Sequence, residues 1–519
     1  MAKEFQYGLN AALVETDKGT IRGYRYDGLT IFKGIPYAQA KRFHAPEEVK
    51  EWKGIFDATN YGYVCPLLED EKPKVEMSVP HRYWPMHEDC QNLNVWTPQC
   101  DDQKRPVMVW LHGGGYSAGS AIEQVAYEGE NMSREGNVVV VSVNHRLNIL
   151  GYLDLSSYGK EYENSGNAGM DDIIMALKWV QKNIAAFGGD PENVTLFGQS
   201  GGGAKITTLL QMPAADGLFA KGINMSGVVG GLMRDPEGDA KELIEAMMKE
   251  LKIKTVKEME TVPYYFLAEA YNKLRPEFAK AGKYTGGAPH VNKYYVGDPA
   301  DVGFRKETKD VPLLVGSVFG EFTSFGPFPY DKHSMTEAEQ LEKVEAAVGK
   351  EGMDELLPLF REAYPERPVI DLLALDFMFR AAGLTYIRDR SAMNTCTYSY
   401  MFNQDMPMEG GRTPWHCCDI PFVFHNADLV PNTQMGDLTE KLQDEIFGCV
   451  MAFAKTGNPN HPGIPEWKPS EADKEYVLVV DENTRILTNY DRELVPAAEK
   501  WLKAAMVKKM QEEKDQIQH

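Results

Sequence analysis

No stretch of this 519-residue chain reaches the roughly 18 consecutive apolar residues that a membrane-crossing helix needs. The opening residues, Met1-Ala2-Lys3-Glu4-Phe5-Gln6-Tyr7, hold no apolar signal segment either, so a cytoplasmic location is expected. Positive charge is also in short supply. Lys and Arg number 55 against 76 Asp and Glu, for a formal net charge of −21. Such a surface repels phosphate backbones and anionic bilayers, which argues against nucleic-acid and membrane partners and leaves neutral or cationic small molecules. Cysteine is scarce and odd in number: Cys65, Cys90, Cys100, Cys396, Cys417, Cys418 and Cys449. That excludes a disulfide-built scaffold and fits free thiols in a reducing compartment. Repeats, low-complexity tracts and Gly/Ser linkers are missing, so one domain over 1–519 is expected rather than several.

What remains is an ordinary globular composition, 43% hydrophobic and 25% charged. Residues 11 to 40 alternate short β-rich runs with glycines (Gly19, Gly23, Gly28, Gly34), the pattern of an antiparallel meander. From 106 the pattern changes to strand 106–111, strand 138–143, helix 171–186, strand 193–197, helix 202–211 and strand 221–225. Strands alternating with helices predict an α/β fold with a mostly parallel sheet flanked by helices. Ile174, Leu177, Val180 and Ile184 recur at helical spacing and fix the helix at 171–186. Strands return at 312–318 and 397–403, and amphipathic helices close the chain at 437–455 and 494–515. Charged, helix-forming stretches near 235–285 and 333–383 interrupt the series. They are expected as helical insertions, either plain decoration or lids over an active site.

Two motifs carry chemistry. Val194-Thr195-Leu196-Phe197 runs straight into Gly198-Gln199-Ser200-Gly201-Gly202, a G-x-S-x-G nucleophile elbow in which the glycines let backbones pass a strained serine. Pro106 to Leu111 is a second buried strand, ending in His112-Gly113-Gly114-Gly115-Tyr116, a turn able to aim backbone N–H groups at an oxyanion. Together they point to a serine hydrolase.

Ser200 needs a base, itself oriented by an acid, and in α/β-hydrolases the chain order is Ser, then Asp or Glu, then His. Of the 11 histidines, His290, His333, His416, His425, His461 and His519 follow Ser200. His416 stands out because it follows a turn-rich stretch (Gly410, Gly411, Pro414) and precedes Asp419-Ile420-Pro421-Phe422. His290 is its rival, while His519 is terminal and His461 sits in a Pro/Gly loop. For the acid, the apolar run Val311 to Phe319 ends at Gly320-Glu321, where the C-terminal edge of a parallel sheet carries its ligands. A Glu at such a place is usually a solvated charge, so position and chain order alone make Glu321 a candidate.

These stretches, with others in order from about 30 to 460, resemble the type-B carboxylesterases, the cholinesterase-like α/β-hydrolases that include bacterial para-nitrobenzyl esterases. The matching pieces include Phe32 to Ala38, Glu88-Asp89-Cys90 with Leu93-Asn94-Val95, Asn144 with Arg146-Leu147, Gly166-Asn167 and Ala176 to Val180. Phe187 to Pro191, the elbow, Gly320-Glu321, His416 with Asp419, and Phe453 to Asn460 complete them. The resemblance implies Ser200 as nucleophile, His416 as general base and then acid, and Glu321 as orienting acid. It implies an oxyanion hole from Gly114, Gly115 and Gly201, scaffold pairs Arg42–Glu88 and Arg146–Asp172, and a disulfide between Cys65 and Cys90. In a reducing compartment that bond can equally stay open. A carboxylic-ester hydrolase acting on small to medium, largely uncharged esters is expected, requiring no metal or cofactor. The alternatives are a non-catalytic adhesion protein of the neuroligin kind, or acyl chemistry on thioesters or amides.

The chain departs from the family at the elbow, where Gln199 and Gly201 stand for the usual Glu and Ala. Gln199 removes a negative charge beside the nucleophile; Gly201 still offers its N–H. The Pro-rich segment after Ala38 is shortened to Gln39-Ala40-Lys41-Arg42-Phe43. Cys417-Cys418 suit burial better than zinc spacing. Tyr116, Gln199 and Trp415 flank catalytic positions and are the candidates for the substrate pocket. Trp84 is equally a pocket wall or loop packing.

Overall fold

The computed structural model describes residues 3–69, 79–230, 238–324, 332–393, 396–408 and 410–517; His519 lies outside them. Its organising element is a 12-stranded sheet. The central strands run parallel to one another: β1 (Arg105–Leu111), β2 (Val139–Val143), β3 (Gly189–Gln199), β4 (Lys221–Met225), β5 (Leu313–Val318), β6 (Thr397–Phe402) and β7 (Tyr476–Val480). Their spatial order is β2-β1-β3-β4-β5-β6-β7. Most are buried along their whole length, as expected of strands covered on both faces. Antiparallel strands close both margins. Asn92–Thr97 pairs with β2 and Leu29–Pro36 lies beyond it, while Arg485–Thr488 pairs with β7.

The strand alternation divides the core in two. Val107, Val109 and Leu111 of β1, with Val194 and Leu196 of β3, face α1 (Ala168–Asn183) through Ile173, Leu177 and Val180. Met108, Trp110 and Phe197 point to the other face, against Phe422, Phe424 and Phe453. Each such side chain contributes about 1.5–3 kcal/mol on leaving water. The helix predicted at 171–186 starts earlier, at Ala168, and tightens into a 3-10 turn over Ile184–Phe187. The N-terminal meander is antiparallel but shared between sheets. Leu13–Thr16 and Gly19–Arg22 belong to a small three-stranded sheet, while Tyr24–Tyr26 and Leu29–Pro36 join the large one.

Between β4 and β5, helices Ala240–Leu251, Val256–Met259 and Tyr264–Lys280 pack on Ile149, Leu153, Leu155 and Tyr162. Between β5 and β6, a long helical stretch, Glu337–Ala363, breaks at Gly349, whose φ of 75° and ψ of 169° no helix accepts. It packs with the C-terminal helix Leu494–Ile517 over Phe319, Met401, Val477 and Val479.

Candidate active site

β3 ends at Gln199 and helix α2 (Gly201–Leu210) begins two residues later, leaving Ser200 alone to turn the chain. Its φ of 56° and ψ of −123° lie where a side chain is strained. The turn is held from the neighbouring strand, since Ser200 N–H donates to Met225 O at 2.8 Å. The elbow glycines answer a steric demand. A Cβ on Gly198 would lie 2.6 Å from the Gly202 carbonyl carbon and 2.8 Å from Leu111 O, and one on Gly202 would overlap Leu111 O.

Glu321 and His416, 95 positions apart, meet at the same edge of the sheet. His416 Nδ1 lies 2.5 Å from Glu321 Oε2. The other carboxylate oxygen accepts Val318 N–H at 2.9 Å, and His416 N–H donates to Glu321 O at 3.2 Å. Glu321 is fully buried and His416 nearly so. Both oxygens thus have fixed donors, which sets the ring orientation and its Nδ1–H tautomer. Two more buried carboxyls stand nearby. Burial first, then the neighbouring Glu321, pushes Asp376 up to about 7. Burial and Glu321 likewise raise Asp419 to about 6, against the lowering bond from Tyr400 Oη at 2.8 Å. Asp376 also caps helix α3 (Phe379–Ser391), accepting from the N–H groups of Met378, Phe379 and Arg380. That cap places Phe379 stacked on the His416 ring, with centroids 5.1 Å apart.

Gln199 lies against His416 too. Its amide nitrogen is 3.1 Å from Nε2 and 3.3 Å from Nδ1, and the Cys417 thiol donates to its Oε1 at 3.2 Å. Gly113, Gly114 and Gly115 cross directly above the elbow. A Cβ on Gly113 would sit 3.5 Å from Ser200 Cβ, and one on Gly201 would overlap the backbone of Gly115. The oxyanion candidates Gly114, Gly115 and Gly201 are therefore brought together with Ser200. The contact also accounts for glycine at 201. Gly201→Ala is expected to push the turn away, lowering kcat about 10- to 100-fold and the unfolding temperature with it. A variant of wild-type kcat would show that the turn has room.

A cavity of about 720 Å³ runs along α2. Ala204, Thr207 and Thr208, on the helix face that continues from Ser200, form one wall. Tyr116, Tyr295, Tyr386 and Val228 face them, and Asp298, Asp301 and Asp389 add carboxylates. Of the three pocket candidates, Tyr116 lines this cavity, its hydroxyl 2.8 Å from Thr208 Oγ1. Gln199 packs on the His416 ring instead. Trp415 is buried in the core below, with Arg412 over its ring at 5.4 Å.

Comparison with known proteins places this geometry. A family model described as "Carboxylesterase family" matches residues 10–497. The chain belongs to the carboxylesterase family. With the family goes the enzyme class, a serine carboxylic-ester hydrolase on an α/β-hydrolase fold. The chain is 31% identical to the para-nitrobenzyl esterase of Bacillus subtilis (strain 168), over 91% of its own length and 96% of that protein. Phenmedipham hydrolase of Pseudarthrobacter oxydans is 29% identical, over 92% and 97%. Among solved structures, an esterase from anaerobic Clostridium hathewayi, described as able to hydrolyse aliphatic aromatic polyesters, superposes with a TM-score of 0.93. It is 49% identical, covering 96% of this chain and 100% of that one.

The remaining sequence candidates fall away from the elbow in this carboxylesterase. His290 lines the cavity, 3.6 Å from Asp154, and His461 bonds the Glu445 carbonyl. Arg42 pairs with Glu88, and Arg146 with Asp172 at 2.7 Å. Cys65 and Cys90 are free thiols in one apolar cluster with Leu147 and Leu150, the Cys65 thiol donating to Pro66 O at 3.7 Å. Trp84 packs edge-on against Tyr61 at 5.4 Å. Among the described residues no helix is long and apolar enough to cross a membrane, and no His, Cys, Asp and Glu group could hold a metal ion. Sequence reasoning passed over Asp376, which stands near Glu321, and Phe379, which stacks on His416; neither leaves a local signature.

Proposed function

We propose that the protein hydrolyses small to medium, largely uncharged carboxylic esters through a Ser200–His416–Glu321 triad. The observation that carries this reading is the 2.5 Å contact between His416 Nδ1 and buried Glu321, at the sheet edge where Ser200 occupies its left-handed turn. Ser200 Oγ attacks the carbonyl carbon as His416 Nε2 takes its proton. The N–H groups of Gly114, Gly115 and Gly201 meet the oxyanion, each worth on the order of 3 kcal/mol. His416 then protonates the departing alcohol, leaving an acyl-enzyme, and deprotonates the water that releases the acid. These steps run on the chain's own side chains, without metal or cofactor.

The cavity beside α2 supports the substrate range. Its valines and tyrosines suit an apolar arm, and its three aspartates disfavour anionic esters. The similarity to an esterase described as hydrolysing aliphatic aromatic polyesters supports extending that range to esters of aromatic acids. We place the enzyme in the cytoplasm, a reading supported by its free cysteines, and without nucleic-acid or membrane partners, a reading supported by its net charge of −21. A para-nitrophenyl ester series from acetate to dodecanoate tests the proposal. The rate should peak at short or medium acyl chains and fall roughly tenfold or more by dodecanoate. Absence of turnover on every member would overturn it.

A further inference from the structure

Lys205 lies on α2, one turn below the elbow, and is completely buried. Its Nζ donates to His112 O at 2.9 Å, its one hydrogen bond among the described residues. An ammonium has three protons, so two lack a protein partner among the described residues, which is costly at a buried site. Its surroundings offer little help. The stacked rings of His112 and His145, 5.0 Å apart and 17° from parallel, are both held neutral by burial and by the Lys205 charge. Glu123 is the carboxylate that acts on it. Burial outweighs Glu123 and brings the Lys205 ammonium down to about 7.

What Lys205 touches is the root of the oxyanion turn. In a trans peptide the carbonyl and the following N–H point in opposite directions, so pinning a carbonyl aims the next N–H. The turn's carbonyls are pinned in succession. Lys205 Nζ holds His112 O, His112 Nδ1–H holds Gly113 O at 2.9 Å, and the N–H groups of Ser117 and Ala118 hold Gly114 O. Each pinned carbonyl fixes the peptide that carries the next N–H, that of Gly113, Gly114 and Gly115 in turn. Of these three anchors Lys205 is the one able to carry a charge. Its hydrogen bond polarises the first peptide of the turn, and below about pH 7 it adds a positive charge near donors that must meet a developing anion.

We propose that Lys205 is a positioning residue for the oxyanion turn, acting through the His112 carbonyl to fix His112 and the first peptide of the turn, and through the His112 ring that holds Gly113 O to steady the Gly114 N–H that follows. The inference rests on the triad reading above. Its contribution belongs to the transition state, where the carbonyl oxygen becomes an anion, and hardly to the bound ester.

Steady-state hydrolysis of para-nitrophenyl butyrate by wild type, Lys205→Met and Lys205→Gln tests it, with Ser200→Ala alongside. Methionine keeps the length of the chain and removes charge and donor; glutamine restores a neutral donor. The expected result is kcat lowered about 10- to 100-fold in Lys205→Met with KM within about twofold, and a smaller loss in Lys205→Gln. Affinity for a trifluoromethyl ketone should fall in parallel with kcat. That inhibitor's carbonyl takes a bond from Ser200 Oγ, its π electrons become the oxyanion, and the serine proton passes to His416. The unfolding temperature should stay level or rise, since an unpaired buried charge is gone. Wild-type kcat and inhibitor affinity in Lys205→Met would overturn the proposal. Loss of activity only together with folding in both variants would equally do so, leaving Lys205 as scaffold. Failure of the triad reading is separate: Ser200→Ala would then keep its activity.

Discussion

Replacing Ser200 by alanine lowers kcat by about 10⁴-fold or more and leaves KM nearly unchanged. The expectation follows from what the substitution spares. Alanine occupies the left-handed turn with much the same strain as serine, and Ser200 N–H keeps its bond to Met225 O. The oxyanion turn and the cavity along α2 remain, so the substrate still binds and its polarised carbonyl still feels the N–H donors. What disappears is the covalent route itself, since water has no comparable place to attack from. The measurement is kcat on para-nitrophenyl butyrate for separately purified wild type and variant, with far-ultraviolet circular dichroism to match their folds. Activity within tenfold of wild type would remove Ser200 as nucleophile and the proposed mechanism with it.

The parallel sheet was legible because its strands are buried on both faces. Val107 to Leu111, Val139 to Val143 and Val194 to Phe197 are short, mostly apolar runs, and the structure sets them side by side as β1, β2 and β3. The elbow was legible for a steric reason, since only glycine at 198 and 202 lets the chain pass Leu111 O. Elements that carry no such local constraint were not visible. The hairpin of Tyr476–Val480 and Arg485–Thr488 closes one sheet margin by pairing with a strand that starts at Thr397, a relation no window of sequence contains.

The same division holds inside the site. Ser200, Glu321 and His416 each follow or sit on a strand end or turn whose pattern marks it, so they could be named one at a time. The groups that tune them could not. Asp376 reaches the Glu321 neighbourhood by capping α3, and Phe379 stacks on His416 because of that cap. Gln199 was expected beside the substrate, yet its amide turns to the His416 ring and is bridged to Cys417. Lys205 lies in no sequence pattern that singles it out. Its contact with His112 spans the packing of α2 beneath β1's terminal turn.

Glu321→Gln should reduce kcat about 10³- to 10⁴-fold, through the tautomer of His416 and not through loss of the fold. In the native site both carboxylate oxygens accept: one from Val318 N–H, the other from His416 Nδ1. An amide has only one acceptor. If its oxygen faces Val318 N–H, its NH₂ faces Nδ1, which must give up its proton and accept. The proton then sits on Nε2, where it blocks the lone pair that should take the Ser200 proton. If the amide turns over, two buried donors oppose each other at Val318, at about 1–3 kcal/mol. Each arrangement therefore has its own readout, kcat for the first and unfolding temperature for the second. Glu307 provides the control. It lies in the turn Lys306–Thr308 ahead of β5, 63% exposed and 3.7 Å from Arg305, so removing its charge costs little. Glu307→Gln should stay within about twofold of wild type in kcat. Equal losses at the two positions would mean that general charge, not the geometry at His416, sets the rate, and would take Glu321 out of the triad.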